Sequence, residues 1–246
     1  MSESERLFTK EQIEEMQKQF LDLVVEALDK SDIEKAKYWV NKLRSQQHYF
    51  YDALLHGCTS LSTYIYKHLG EEAFFAAMKD AVMYFAESSA TLRKNISGGE
   101  AGGDEGLKAY IECIADLWRQ HYGKWKIEED DEKFIFTNDP CGSGGRLVNM
   151  GAYEGPYAYA KIKNPSTYTW GETDVPIYCT HCSIANEIMP LIMSGEGSQI
   201  WVHETPCAKK PGDTCVHYIY KDPKKIPDKF YEKIGMSRTR KVMDVY

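Results

Sequence analysis

Near Gly123 the apolar pattern of this chain changes period, and that change constrains the fold more than any single motif. Before it, apolar residues recur every three or four positions. After it they alternate, or cluster in short runs bounded by glycine and proline. Thr9 and Gln12 are spaced as a capping box, and behind them Ile13, Met16, Phe20, Leu23, Val24, Ala27 and Leu28 share one helical face. Ser31 and Asp32 can cap a second helix carrying Ile33, Ala36, Trp39, Val40 and Leu43. A third is expected from about Gln47 to Leu69, stopped by Gly70, and a fourth from Glu71 to about Asn95. Ser97, Gly98, Gly99, Gly102 and Gly103 read as a linker. Asp104 then opens a helix with Leu107, Tyr110, Ile111, Ile114, Leu117 and Trp118 on its apolar side.

Beyond Gly123, Trp125 and Ile127 and then Phe134 and Phe136 alternate on either side of a charged turn, Glu128 to Lys133, which is a β-hairpin signature. Ser198 to His203 and Cys215 to Tyr220 read as strands. Ser183 to Ser194 has helical length, although Pro190 would kink or end it. The expected class is α+β, with a helical domain over 1–122 and an α+β metal-binding domain with an antiparallel sheet over 123–246.

A net charge of -7, with no Lys/Arg block interleaved with aromatics, argues against nucleic acid as a partner. No apolar stretch reaches the length a bilayer needs: the best, Ala73 to Ala86, is interrupted by Lys79 and Asp80, so no membrane partner is expected. The first ten residues lack the apolar core of a signal peptide. A cytoplasmic protein acting on a small molecule is the expectation. In such a compartment its seven cysteines serve as ligands, nucleophiles or buried thiols rather than as disulfides.

Five of those cysteines fall between positions 141 and 215. Cys179 and Cys182 form a Cys-x-x-Cys pair around His181, and Cys207 and Cys215 bracket a connection with Pro211, Gly212 and Asp213 at its turn. Two thiolates three residues apart converge across a tight turn, and two more at neighbouring strand ends could complete a tetrahedron. Soft thiolates favour zinc, with iron as second choice, over magnesium or calcium. A redox dithiol and inert buried thiols are the alternative readings of the same residues.

The run Ile200 to Cys207, with Glu204 three residues before Cys207, followed by Gly212-Asp213-Thr214-Cys215, resembles the end of vinyl-reductase-type small-molecule-binding domains. It is also similar to the 2-amino-thiazoline-4-carboxylate hydrolase-like family. The resemblance covers roughly the last third of the chain. It implies a zinc site with Glu204, Cys207 and Cys215 as ligands and one of Cys179 and Cys182 as the fourth, together with a small ligand.

Asp139 to Arg146 is the other distinctive stretch. Glycines at 142, 144 and 145 leave backbone N–H groups to face a ligand beside Ser143, and Arg146 can clamp a carboxylate or phosphate. Cys141 there reads as a metal ligand, a nucleophile or a substrate-sensing thiol, against the plain alternative of a glycine-rich connection with a buried cysteine. His181 or Glu204 is expected to move the proton, since of His203 and Glu204, consecutive on a strand, only one can face the site. Trp170 is expected to wall a planar ligand. Together these predict a zinc-dependent hydrolase or lyase acting on a small polar or heteroaromatic molecule, in which zinc lowers the pKa of bound water toward about 7. The helical half would cover the site and offer a face for a homodimer. The competing expectation is a non-catalytic binding or sensory module with a structural zinc.

Overall fold

Thr9 opens the first helix as its spacing predicts: its hydroxyl accepts from the Gln12 N–H at 3.2 Å, and the Gln12 side chain accepts from the Thr9 N–H at 2.8 Å. A computed structural model describes residues 7–88, 103–194 and 200–237. Ser97 to Gly102, the helix expected up to Asn95, and Ser198 and Gln199 lie at least in part outside the described residues. The chain divides by compactness into Met1–His56 and Gly57–Tyr246, a boundary inside a helix.

In the first unit the single helix expected over Ile13 to Leu28 is two, α1 (Lys10–Met16) and α2 (Phe20–Asp29), joined by a turn in which Lys18 pairs with Glu26. Leu23, Val24 and Trp39 form the core here, with Phe20 stacked on Trp39 at 5.8 Å. Asp32 caps α3 by accepting from the Lys35 N–H. The second and third expected helices are one, α3 (Ile33–Leu69), because Arg44, Ser45 and Gln46 between them are all compatible with helix. Gly70, at φ +90°, ends it. A surface hollow of about 230 Å³ in this unit is lined by Glu11, Glu15, Lys18, Glu26 and Lys35, solvated charges without a nucleophile.

The second unit holds the sheet and the cysteines discussed below. α4 (Glu71–Ser88) and α5 (Asp104–Gln120) follow the predicted spacing. The predicted hairpin is β1 (Trp125–Glu129) and β2 (Lys133–Asn138), with Ile127 opposite Phe136. With β5 (Val202–Thr205) and β6 (Cys215–Tyr220) they form an antiparallel sheet in the order β1-β2-β6-β5. Tyr110, Ile114 and Trp118 of α5 pack on its inner face with Phe136, Trp201, Cys215 and Ile219. Burying this apolar stripe, at about 25 cal/mol per Å², holds helix and sheet together. The α+β class expected from the sequence is the one observed.

Between β2 and β5 lie α6 (Gly144–Asn149), a two-stranded sheet of β3 (Lys161–Ile162) and β4 (Val175–Pro176), and a long helical run. That run passes through Ile177–Cys179, α7 (Thr180–Ser183), a π-helical turn Ile184–Ile188 and α8 (Met189–Ser194). Pro190 neither ends nor sharply breaks it. Proline has no N–H for the carbonyl of Asn186 four residues back. That carbonyl accepts instead from the Trp201 N–H at 3.1 Å, tying the approach to β5 onto the π turn. α9 (Asp228–Lys233) follows the sheet, and no helix among the described residues is long and apolar enough to cross a membrane.

Candidate active site

β2 delivers the chain to Asp139, a cis Pro140 and Cys141. Gly142 is there for packing. A Cβ on it would lie 1.9 Å from the His121 carbonyl oxygen and 2.5 Å from the Gly123 nitrogen, so two backbone segments meet where only hydrogen fits. Gly142→Ala is expected to cost about 1–3 kcal/mol in urea unfolding, because backbone cannot swing aside as a side chain can. Gly57→Ala, at a helical position with nothing within 4 Å, should be neutral or stabilising and serves as the control. Gly144 also makes room: a Cβ there would lie 2.5 Å from Cys179 Sγ, so bare backbone seats that thiol.

Cys141 is buried, yet its thiol is held well below the usual range. The Cys215 thiol, donating to Cys141 Sγ, is the largest cause and outweighs desolvation. The Ser143 hydroxyl at 3.4 Å and the N–H groups of Ser143 and Gly145 add to it. Cys215 is correspondingly pushed far up by the same hydrogen bond and by burial. The two shifts are opposite in sense, so of the pair Cys141 is the more readily ionised and Cys215 the more readily protonated. Such a buried thiolate, ringed by donors, has the character of an activated nucleophile.

The Cys-x-x-Cys pair lies on the helical run. His181 Nδ1 stands 2.6 Å from the Tyr178 carbonyl, which fixes the proton on Nδ1 and leaves Nε2 as the acceptor of the Cys182 thiol at 3.5 Å. Burial holds His181 below the usual imidazole range and Cys182 above the usual thiol range, and the Cys141 charge acts on both. Cys179 packs with Val175 and Cys207; burial raises Cys179 well above a normal thiol and Cys207 to about 12.

A third group was not legible in the sequence. Glu187, 1% exposed on the π turn, offers Oε1 to the Trp170 indole N–H at 3.1 Å, to the His203 backbone N–H at 3.0 Å, and to His203 Nδ1. Burial pushes the Glu187 carboxyl up to about 8 and the His203 imidazole down to about 3, both toward their neutral forms. The His203 ring lies 4.3 Å from that of His217, its cross-strand partner. His217, too, is driven well below the usual imidazole range by burial.

The structure thus sorts the candidates. Cys141, Ser143, Cys179, Cys182, Cys215 and His181 share one region, within which the thiols influence one another's ionisation. Trp170 is buried as a donor to Glu187. Arg146 is partly buried at the third position of α6. Glu204 does not share the site's burial: it is the extra residue of a bulge between His203 and Thr205, and its carboxylate pairs with Lys229 at 3.3 Å. Of that adjacent pair, His203 faces inward. Buried sulfur is the right donor type for a soft cation, but among the described residues no three His, Cys, Asp or Glu side chains stand together as metal ligands. No family model matches the chain, and neither curated proteins nor solved structures match it.

Proposed function

We propose that this protein is an enzyme acting on a small polar or heteroaromatic molecule, a hydrolase whose nucleophile is the Cys141 thiolate. The convergence of Cys215, Ser143 and the Gly145 N–H on one buried sulfur carries this reading. The thiolate attacks an electrophilic carbon; a C–S bond forms and the bond to the leaving group breaks. Cys215 holds the nearest dissociable proton for that group. In the second half, water attacks the thioester and the sulfur departs with its electron pair. His181, fixed by the Tyr178 carbonyl, takes the proton of that water on Nε2 in place of its Cys182 contact and returns it to the Cys215 thiolate left by the first half, so the cycle closes.

Exposure of the protein to 4-nitrophenyl acetate, followed by intact mass and peptide mapping, tests this. An acetyl group on Cys141 with a burst of nitrophenolate is expected. The adduct should persist in Cys58→Ser, whose thiol is exposed, and vanish in Cys141→Ser. Acetylation elsewhere, or none, removes Cys141 from the chemistry.

A second reading rests on a separate observation. Burial suppresses the ionisation of Cys179, Cys182 and Cys207, neighbouring thiols add to it at Cys179 and Cys182, and a cation would relieve both. In that reading Cys179, Cys182, Cys207 and Cys215 hold zinc, or iron as second choice, and the metal is catalytic in a hydrolase or lyase or structural in a binding module. Metal analysis after purification without added metal decides it: near-stoichiometric zinc lost in Cys182→Ser supports this reading, and metal-free protein that still takes an acetyl group on Cys141 discards it.

A further inference from the structure

Asn138, His203 and His217 are 1%, 1% and 3% exposed, and they lie on the inner face of three adjacent strands. Asn138 stands opposite Cys215, and His203 opposite His217. Five of their polar atoms have no hydrogen-bond partner: both side-chain atoms of Asn138, Nε2 of His203, and Nδ1 and Nε2 of His217. Leaving one buried polar atom unpaired is costly, and five together in a native core are uncommon. Three aromatic rings surround them: Trp170 is 4.9 Å from His203, and Trp118 and Trp201 are 5.4 and 6.4 Å from His217.

The hydrogen-bonding character of this patch follows from geometry. Glu187 Oε1 already accepts from the Trp170 indole and the His203 backbone, so the His203 proton sits on Nδ1 and points at Glu187. Neutral His203 therefore presents Nε2 as a bare acceptor. Neutral His217 presents one donor and one acceptor, and the Asn138 amide presents both. None of the three is a Lys, Arg, Asp or Glu, so the patch presents donors and acceptors side by side without a fixed charge of its own.

We infer that Asn138, His203 and His217 are the recognition surface for a neutral carboxamide-type group of the ligand, an N–H beside a C=O as in an amide, lactam or urea. Glu187 is the positioning residue that fixes the His203 tautomer. That this group belongs to the molecule attacked by Cys141 rests on the proposed function; the recognition itself does not.

Acetamide is the probe, with acetate and guanidinium as comparators, read on protein labelled with ¹⁵N in its histidine rings. Saturable shifts of the His203 and His217 nitrogens with millimolar acetamide, and not with acetate or guanidinium, are expected. His217→Phe should weaken the binding about tenfold. Absence of saturation in the wild type, an equal response to acetate or guanidinium, or unchanged affinity in folded His217→Phe overturns the inference. The wild-type titration decides even where the variant does not fold. Loss of acetamide binding alongside an intact nitrophenolate burst defeats this inference alone, whereas binding without a burst defeats the Cys141 reading alone.

Discussion

Cys215→Ala is expected to slow acetylation of Cys141 at neutral pH by roughly ten- to a hundred-fold. The reasoning is direct. Burial alone would raise the Cys141 thiol, and the donation from Cys215 is the largest influence holding it down. A hydrogen bond to a charged acceptor contributes about 1.5–3 kcal/mol, which sets the size of the effect. Cys215→Ser, whose hydroxyl still donates, should retain most of the rate. Thiolate absorbance near neutral pH should fall in step with reactivity in the alanine variant. An unchanged rate in Cys215→Ala would place the origin of the thiolate with Ser143 and Gly145, and would make Cys215 only a neighbour.

What the sequence disclosed of this site followed the reach of local chemistry. Thr9 with Gln12, Asp32, Gly70 and the alternation around Ile127 and Phe136 are signals carried by a few neighbouring residues, and each appears where expected. The gathering of Cys141, Cys179, Cys182 and Cys215 could be suspected from their density, but their pairing could not. Cys141 meets Cys215 because β2 and β6 are neighbours in register, with Asn138 opposite Cys215. Alternation permits one inward residue of His203 and Glu204 without saying which, and a bulge decides it for His203.

Glu187 shows the same limit more sharply. Nothing in its neighbourhood distinguishes it from a solvated helical glutamate. Its burial depends on Pro190, which frees the Asn186 carbonyl to bind the Trp201 N–H. That bond sets the approach to β5, and with it the His203 N–H that reaches Glu187. A proline that reads as a helix breaker therefore works as a link between helix and sheet.

Glu187→Ala should accordingly be among the most damaging single changes in this unit. It strands three N–H groups, from Trp170, the His203 backbone and the His203 ring, for a loss of about 3–5 kcal/mol in urea unfolding. Glu187→Gln keeps an acceptor oxygen for all three and isolates the charge. The folded-state pKa of Glu187 is raised from 4.5 to about 8, so its stabilisation is complete below 4.5 and is lost as pH rises through about 8. His203 acts in the opposite sense, being lowered from 6.5 to about 3, but its contribution is fully gained by pH 6.5. Between pH 6.5 and 8 the wild type should thus lose up to about 2 kcal/mol relative to Glu187→Gln, at about 1.4 kcal/mol per pH unit. Taking the difference cancels Cys141, His181 and His217, which titrate in both proteins. Parallel stability curves would mean that Glu187 is ionised throughout this range and that its three donors, rather than its proton, hold it in the core.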